Sequence, residues 1–471
     1  MPDTELTNMR ATEVAGALRR GELGPVEVLE AAIRRIETAD ADVNALPIRC
    51  YDRAMDHAKA MQDRASPDRG SLLAGLPIAV KDYNDIGGVR TTYGSPIFAD
   101  HVPDRSDATV ARLEQNGANP VAKSNVPEWA GGHTFNPVNG LTRNPWDIGR
   151  SAGGSSGGSA AALASGQVWL ATGNDLGGSL RTPAAFNGVV GLRPSPGVVP
   201  RGQRLQAFDT LWVEGPMARC VEDVALMLQA GSGVHADDPL SFDPSGSFIT
   251  AAGSPERPLR VAFSPDLGVV PMAREIAGVT TGAMESLSRS GVDVTGDIPD
   301  FTGAQDAFQT LRAVLLGTMM GPLLETERDR IHPDIIGNVE MGFRVTPEQV
   351  FSAERLRWQL AQRMTTFFES HDLLVCPTAS VPAFPVETPY VTEIDGKPCE
   401  TYIDWFAITF VLTLTACPVV SLPCGLTADG LPVGVQLVGK PRGEAALLRA
   451  ARWIEEQLGF AGRLPIDPQR G

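Results

Sequence analysis

Ser151-Ala152-Gly153-Gly154-Ser155-Ser156-Gly157-Gly158-Ser159, followed closely by Asn174-Asp175-Leu176-Gly177-Gly178-Ser179-Leu180-Arg181, places two Gly-Gly-Ser loops near each other in the chain. Glycines let a backbone turn tightly and expose its N–H groups, as a loop that stabilises an oxyanion must. Ser179, directly after Gly177-Gly178, is placed for that work. A serine in a glycine-rich loop is by itself far more often a turn residue than a nucleophile, so the assignment needs independent support. The first loop runs into an Ala-rich segment, Ser159 to Gly166, whose composition predicts a helix starting inside the loop.

Outward from these loops, Leu76-Pro77-Ile78-Ala79-Val80 is an apolar run between Gly75 and Lys81-Asp82 that predicts a buried strand delivering Lys81 at its end. Upstream, the pattern predicts a helix over Thr4 to Arg20, ended by Gly21, and a second after Pro25 with Leu29, Ala32, Ile33 and Ile36 on one face. A helix over Ala108 to Asn116 and a strand over Pro120 to Lys123 follow. Further strands are predicted at Leu259 to Phe263, Asp372 to Cys376, Val419 to Leu422 and Gly434 to Val438, with helices at Thr280 to Ser290 and Glu444 to Leu458. Helices and strands mixed in this way indicate an α/β core. The turn-rich stretch 236–258 reads as a long surface loop. No Pro, Gly and Ser-rich linker divides the chain, which favours one domain over 1–471.

The 471 residues carry a formal charge of -16, with 43% apolar and 20% charged residues. An acidic excess argues against a nucleic-acid or anionic-membrane surface. The six cysteines (Cys50, Cys220, Cys376, Cys399, Cys417, Cys424) show no metal-ligand or CxxC spacing and suit a reducing cytoplasm. The start MPDTELTNMRATEVAGALRR lacks the apolar core of a secretory signal. The most apolar candidate for a membrane span, Trp405 to Pro423, holds Thr and Pro and reads as a buried core element.

The order GLPIAVKD (Gly75 to Asp82), KSNVPEWA (Lys123 to Ala130), NPWD (Asn144 to Asp147), GGSSGGSAAALASG (Gly153 to Gly166), DLGGSLRTPA (Asp175 to Ala184) and GVVGLRP (Gly188 to Pro194) resembles the amidase signature family. The resemblance extends to CPTASVPAFP (Cys376 to Pro385) and CPVVSLPCGLTADGLPVGVQLVG (Cys417 to Gly439), and is loose only over about 236–370. It implies an α/β/α sandwich around a large mixed β-sheet. Within one domain, 1–65 would supply N-terminal helices packed outside, 66–235 the signature core, 236–370 a variable substrate-side region and 371–471 the C-terminal part of the core.

By that resemblance Ser179 is the nucleophile, Ser155 a bridging serine preceded by a cis peptide bond, and Lys81 the base. The N–H groups of Leu176, Gly177, Gly178 and Ser179 would form the oxyanion hole, with Asp175 and Arg181 as structural supports. Substrate would lie against Ala130, Gly131 and Ser155. A free lysine is protonated at neutral pH, so a basic Lys81 must be desolvated, and the apolar run before it supplies that setting. Ser156 competes with Ser155 for the bridging role, while Ser159 reads as a helix N-terminal residue. Asn174, Ala152, Arg193 and Ser195 stand where many relatives have Thr, Pro, Lys and Thr.

The resemblance implies hydrolysis of a small-molecule amide, or of a related carbamate or ester, with no cofactor or metal, by a monomer or homodimer. Three other readings meet obstacles. Gly153-Gly154-Ser155-Ser156-Gly157 fits G-x-S-x-G, but Asn144 to Arg150 is a poor preceding strand, and His235, His332 and His371 lie in segments without a supporting motif. His133 lies near the expected pocket and reads as a packing residue. A phosphate-binding loop lacks G-x-x-x-x-G-K-[ST]. The glutaminase subunit of a tRNA amidotransferase shares these motifs, but Glu354 to Gln362 replaces its Tyr-rich helix. Trp129, Phe135, Tyr402, Trp405 and Phe406 are candidates for an aromatic pocket wall.

Overall fold

The computed structural model describes residues 3–63, 70–130 and 132–470. Eleven strands form one mixed sheet. In chain order they are β1 (Ile48–Arg49), β2 (Pro77–Lys81), β3 (Asn119–Ser124), β4 (Leu170–Asp175), β5 (Val190–Arg193), β6 (Val213–Ala218), β7 (Arg260–Phe263), β8 (Asp293–Thr295), β9 (Leu373–Pro377), β10 (Val419–Leu426) and β11 (Pro432–Val438). Across the sheet they lie in the order β1-β3-β2-β4-β6-β5-β10-β11-β9-β7-β8. β2 runs parallel to β3 and β4, and β7 runs parallel to β8 and β9; the other neighbours are antiparallel.

Both faces of this sheet are covered, which makes the α/β/α sandwich. Ile78, Val80, Leu170, Leu192, Val375, Val420 and Leu437 share one core with helices Ala11–Arg20, Val221–Gly231, Arg274–Arg289 and Glu444–Leu458. The residues that alternate with them, among them Ala79, Ala171, Leu374 and Val419, pack on the other face against Gly157–Ala164, Arg181–Asn187 and Ala407–Thr413. Alternation between two buried faces fixes register, because a slip of one residue would exchange the two sets.

The second face carries small residues where the two serine loops descend on it. A Cβ on Gly173 (β4) would come within 2.5 Å of the Leu180 side chain, and one on Gly215 (β6) within 2.7 Å. A Cβ on Gly191 (β5) would meet the Leu180 carbonyl at 2.3 Å. Three glycines on adjacent strands therefore form a hollow that seats Leu180, and the residue before it, Ser179, is held just above the sheet.

The structure corrects several expectations. The helix expected over Thr4 to Arg20 is two helices, Asp3–Asn8 and Ala11–Arg20. Asp223, from Val221–Gly231, accepts the N–H groups of Ala11 and Thr12 at 2.9 Å each and so starts a new helix there. The stretch 236–258 is not all loop, because Phe248–Ala252 is a helix that buries Phe248 and Ala252. Ser159 lies inside Gly157–Ala164, whose N-cap residue is Ser156. Asp147–Ser151, read as a poor strand, pairs with Arg143–Asn144 in a two-stranded ribbon apart from the main sheet.

The loosely patterned region holds three long helices, Ala304–Glu327, Pro333–Arg344 and Pro347–Phe367, the last two of which pack on the first. The first is long and apolar enough to cross a membrane, yet half of its apolar window is buried inside the protein.

Candidate active site

Lys81 ends β2 with no exposed surface. Its Nζ lies 2.8 Å from Ser155 Oγ, 2.8 Å from Ser156 Oγ and 2.7 Å from Asn174 Oδ1. Burial pulls the Lys81 ammonium down to about 7, against Glu214 and Asp175, which raise it. The three neighbours suit both protonation states. An ammonium finds an acceptor for each of its three N–H groups. A neutral amine gives its two N–H groups to Asn174 Oδ1 and one hydroxyl, which leaves its lone pair facing the other hydroxyl.

The peptide bond between Gly154 and Ser155 is cis. Gly154 is closely boxed in, since a Cβ there would approach the Gly132 carbonyl to 2.5 Å. Ser156 N–H donates to the Ser179 carbonyl at 3.2 Å, which ties the first serine loop to the second.

Asp175, at the end of β4, organises the second loop. Its carboxylate accepts from Gly178 N–H at 2.9 Å, Leu180 N–H at 3.2 Å, and Arg181 Nε and Nη2 at 2.9 Å each. Arg193 adds Nη1 contacts at 2.5 Å to the Asp175 carbonyl and 3.3 Å to its carboxylate. Burial pushes the Asp175 carboxyl up, but Arg181 and Arg193 outweigh it and hold the group well below the usual carboxylate range. Arg181 Nη1 reaches on to the Thr409 carbonyl at 2.8 Å and Gln436 Oε1 at 2.7 Å, tying the loop to the helix Ala407–Thr413 and to β11. Gly178 sits at φ 123°, where a Cβ would lie 2.3 Å from Thr409 Oγ1. Only glycine fits.

This geometry bears on the four amides expected to form an oxyanion hole. The Gly178 N–H is already engaged by Asp175. Those of Leu176, Gly177 and Ser179 have no hydrogen-bond partner among the described residues.

Ser179 is half-buried and lines a cavity of about 40 Å³ with Gly154, Leu176, Gly177 and Thr182. The far wall is Phe308, Arg312, Tyr402, Trp405 and Phe406. A second cavity, about 100 Å³, shares Gly132 and Tyr402 with the first and reaches Glu128, His133, Phe135 and His332.

Of the five aromatic candidates, Tyr402, Trp405 and Phe406 face Ser179's cavity and Phe135 the second. Trp129 packs instead on Tyr93 and Phe98. Burial pulls His133 down to about 4, which keeps it neutral, and none of the six histidines lines the cavity at Ser179. Gly131 lies outside the described residues, and of Ala130 only the backbone is described.

Three participants were not legible as such in the sequence. Asn174 stood out only as a departure, yet it contacts the amine of Lys81. Phe308 and Arg312 lie four residues apart on Ala304–Glu327, a spacing that puts both on one helix face, but nothing in the chain says which face meets Ser179.

A buried, desolvated amine lies within reach of two serine hydroxyls, and Ser179, on a turn with free amides, lines a cavity with Gly154, the neighbour of Ser155. A profile of the amidase family matches residues 27–448. The chain is 33% identical to an acylamidase of Rhodococcus erythropolis over 99% of both chains. It is 32% identical to the A subunit of the glutamyl-tRNA(Gln) amidotransferase of Moorella thermoacetica, over 98% of this chain and 99% of that one. Among solved structures, a bacterial aryl acylamidase of the amidase signature enzymes superposes with a TM-score of 0.88 and 27% identity, over 97% of this chain and 99% of the other. The protein belongs to the amidase signature family and is an amidohydrolase.

Proposed function

We propose that this protein is a stand-alone amidase that cleaves C–N amide bonds of small molecules through an acyl-enzyme on Ser179, with Ser155 as proton relay and Lys81 as base. Ser179 Oγ attacks the carbonyl carbon while its proton passes to Ser155 Oγ and the Ser155 proton passes to Lys81 Nζ. The oxyanion is met by the free amides of Leu176, Gly177 and Ser179, with Gly178 shaping the turn through Asp175. As the C–N bond breaks, the proton on Lys81 returns through Ser155 to the leaving nitrogen. Water then attacks the ester; its proton travels along the same relay and finally restores the Ser179 hydroxyl.

The observation that carries this reading is the fully buried Lys81 amine at 2.8 Å from Ser155. Ser156 is equally near, but its Oγ lies against the sheet, 2.9 Å from where a Cβ on Gly173 would be, whereas Gly154, bonded to Ser155, lines the Ser179 cavity. That favours Ser155 as the relay. Substrate would run from Ser179 past Gly132 and Tyr402 into the larger second cavity. The continuous sheet from β1 to β11 supports a single domain over 1–471. The acidic composition is that of an enzyme that offers no basic surface to nucleic acid or anionic membrane, and the free cysteines are in keeping with a reducing cytoplasm.

The test is hydrolysis of a panel of p-nitroanilides, primary amides, esters and aryl carbamates, with mass spectrometry of the intact protein and of its proteolytic peptides. The wild type should turn over at least one neutral amide and carry the acyl mass on the peptide containing Ser179. Ser179→Ala should lose about 10⁴-fold or more in kcat with an unchanged circular dichroism spectrum, and an active Ser179→Ala protein would end the proposal. The 32% identity to an amidotransferase chain of this family sustains a second reading, a glutaminase. Release of ammonia from glutamine, with no turnover of neutral amides, would select it.

A further inference from the structure

Behind Lys81 lies a second buried ionisable group that the relay does not use. Glu214, in β6, stands directly opposite Asn174 in the β4–β6 register and is 2% exposed. Its Oε2 accepts from Asn84 Nδ2 at 3.2 Å and its Oε1 from Trp212 Nε1 at 3.3 Å. Two N–H donors, one to each oxygen, suit an ionised carboxylate, which can only accept. Among the described residues no cation comes within ion-pair distance of it. A buried carboxylate without a contact ion pair is costly, and the cations around it, Arg201 and Arg204 as well as Lys81, offset that cost at longer range.

The nearby group is the relay's base. The backbone N–H of Lys81 donates to Thr172 Oγ1 at 2.8 Å, and Thr172 Oγ1 lies 3.5 Å from Asn84 Oδ1. Asn84 then holds Glu214, while Asn174, which faces Glu214 across the strands, accepts from Lys81 Nζ. Asn174 thus stands between the Lys81 amine and Glu214 in the strand register, while Asn84 and Thr172 connect Glu214 to the Lys81 backbone.

The other charges around Lys81 are already matched. Lys123 is 3.2 Å from Asp82 and also donates to Asn84 O and Thr91 Oγ1. Asp175 is held by Arg181 and Arg193. Arg201, over the Trp212 ring, pairs with Asp209, and Arg204 pairs with Asp107. The ring of Tyr83 lies 5.0 Å from Lys81 Nζ and carries no net charge. Glu214 is the carboxylate of this group that makes no contact ion pair among the described residues, and its charge acts at longer range on Arg201 and Arg204 as well as on Lys81.

We propose that Glu214 is a positioning residue that acts through Lys81, a buried counter-charge set one layer back, so that it stabilises the ammonium formed when Lys81 takes the relay's proton without binding that proton itself. The distance is the point: a carboxylate in direct contact would hold a permanent ammonium and leave no base. Glu214, and after it Asp175, opposes the effect of burial on the amine.

The inference rests on Lys81 being the base. It is tested by the pH profile of kcat/KM for a neutral aryl amide, p-nitroacetanilide, with the wild type, Glu214→Gln, Glu214→Asp and Lys81→Ala. Glu214→Gln should move the acidic limb to lower pH by about one unit and lower the alkaline plateau, because the base is weaker. Glu214→Asp, which draws the charge back by one methylene, should move the limb the same way by less. A limb that stays at the wild-type pH in both variants, whatever the plateau, overturns the inference, since a merely structural role changes rate without moving the limb. If Glu214→Gln does not fold, Glu214→Asp decides. Lys81→Ala separates the two layers of argument. An active Lys81→Ala protein removes the base itself, whereas an inactive one with an unmoved Glu214 limb removes only the counter-charge.

Discussion

On one side of the cavity, the Asp175–Arg181 loop is held by four hydrogen bonds to a single carboxylate, by Arg181 contacts to Thr409 and Gln436, and by a glycine hollow under Leu180. On the other side, Tyr402 and Arg312 meet through the tyrosine hydroxyl, which also accepts from Asn338 Nδ2 at 2.7 Å, while Phe308 stacks on Phe410 and Phe406 packs edge to face with Trp405 and Phe410. The first side admits almost no change in backbone or charge. The second is made of side chains whose shapes can be exchanged. On the proposed function, reaction and substrate choice would fall to different parts of the chain, and the tightly held part coincides with the residues whose pattern is most specific in the sequence.

That contrast can be broken at Gly178. Gly178→Ala combines a disfavoured φ with a 2.3 Å approach to Thr409, and should cost at least about 10²-fold in kcat together with roughly 2 kcal/mol of stability. Kinetics and denaturant melts check both, and a fully active, stable Gly178→Ala protein would mean that the loop is not held as described.

A smaller effect is expected across the cavity. Tyr402→Phe removes the hydroxyl shared by Arg312 and Asn338, and should change the ratio of kcat/KM between two acyl groups by about tenfold, chiefly through KM. A uniform fall in kcat for every substrate would place Tyr402 with the rigid side instead.

The smallest effect on activity should come from the far face of the sheet. Glu455, on Glu444–Leu458, accepts the Val221 N–H at 2.9 Å, and burial pushes its carboxyl up to about 8, against that bond and Arg452. A raised folded value means stability that is complete below the unfolded carboxyl range and is lost as pH rises towards 8. Glu455→Gln should therefore flatten the pH dependence of Tm between about pH 5 and 8 and leave kcat unchanged. A Tm profile of wild-type slope would refute the assignment.

What the sequence revealed follows the same division. The strand before Lys81, the two serine loops and the helix Glu444 to Leu458 were readable because local pattern and tertiary role agree there. The break at Met9-Arg10 was not, because the cap on the next helix comes from Asp223, far along the chain. β4 and β6 escaped notice for a physical reason: Gly173 and Gly215 are needed for clearance and weaken the strand signal. Asn174 and Glu214 look like ordinary polar residues until pairing of those two strands brings them opposite each other behind Lys81. The cavity wall was legible in composition, as a set of aromatics, but not in membership, since Trp129 turns away and Phe308 joins.

The complete enclosure of Lys81 has a practical corollary for chemical modification. Acylating reagents for primary amines will find the surface lysines first, and activity should survive their capture. Labelling of Lys81 can proceed only when the Ser155 turn lifts away, so its rate, followed by peptide mass mapping, becomes a clock for the opening of the site.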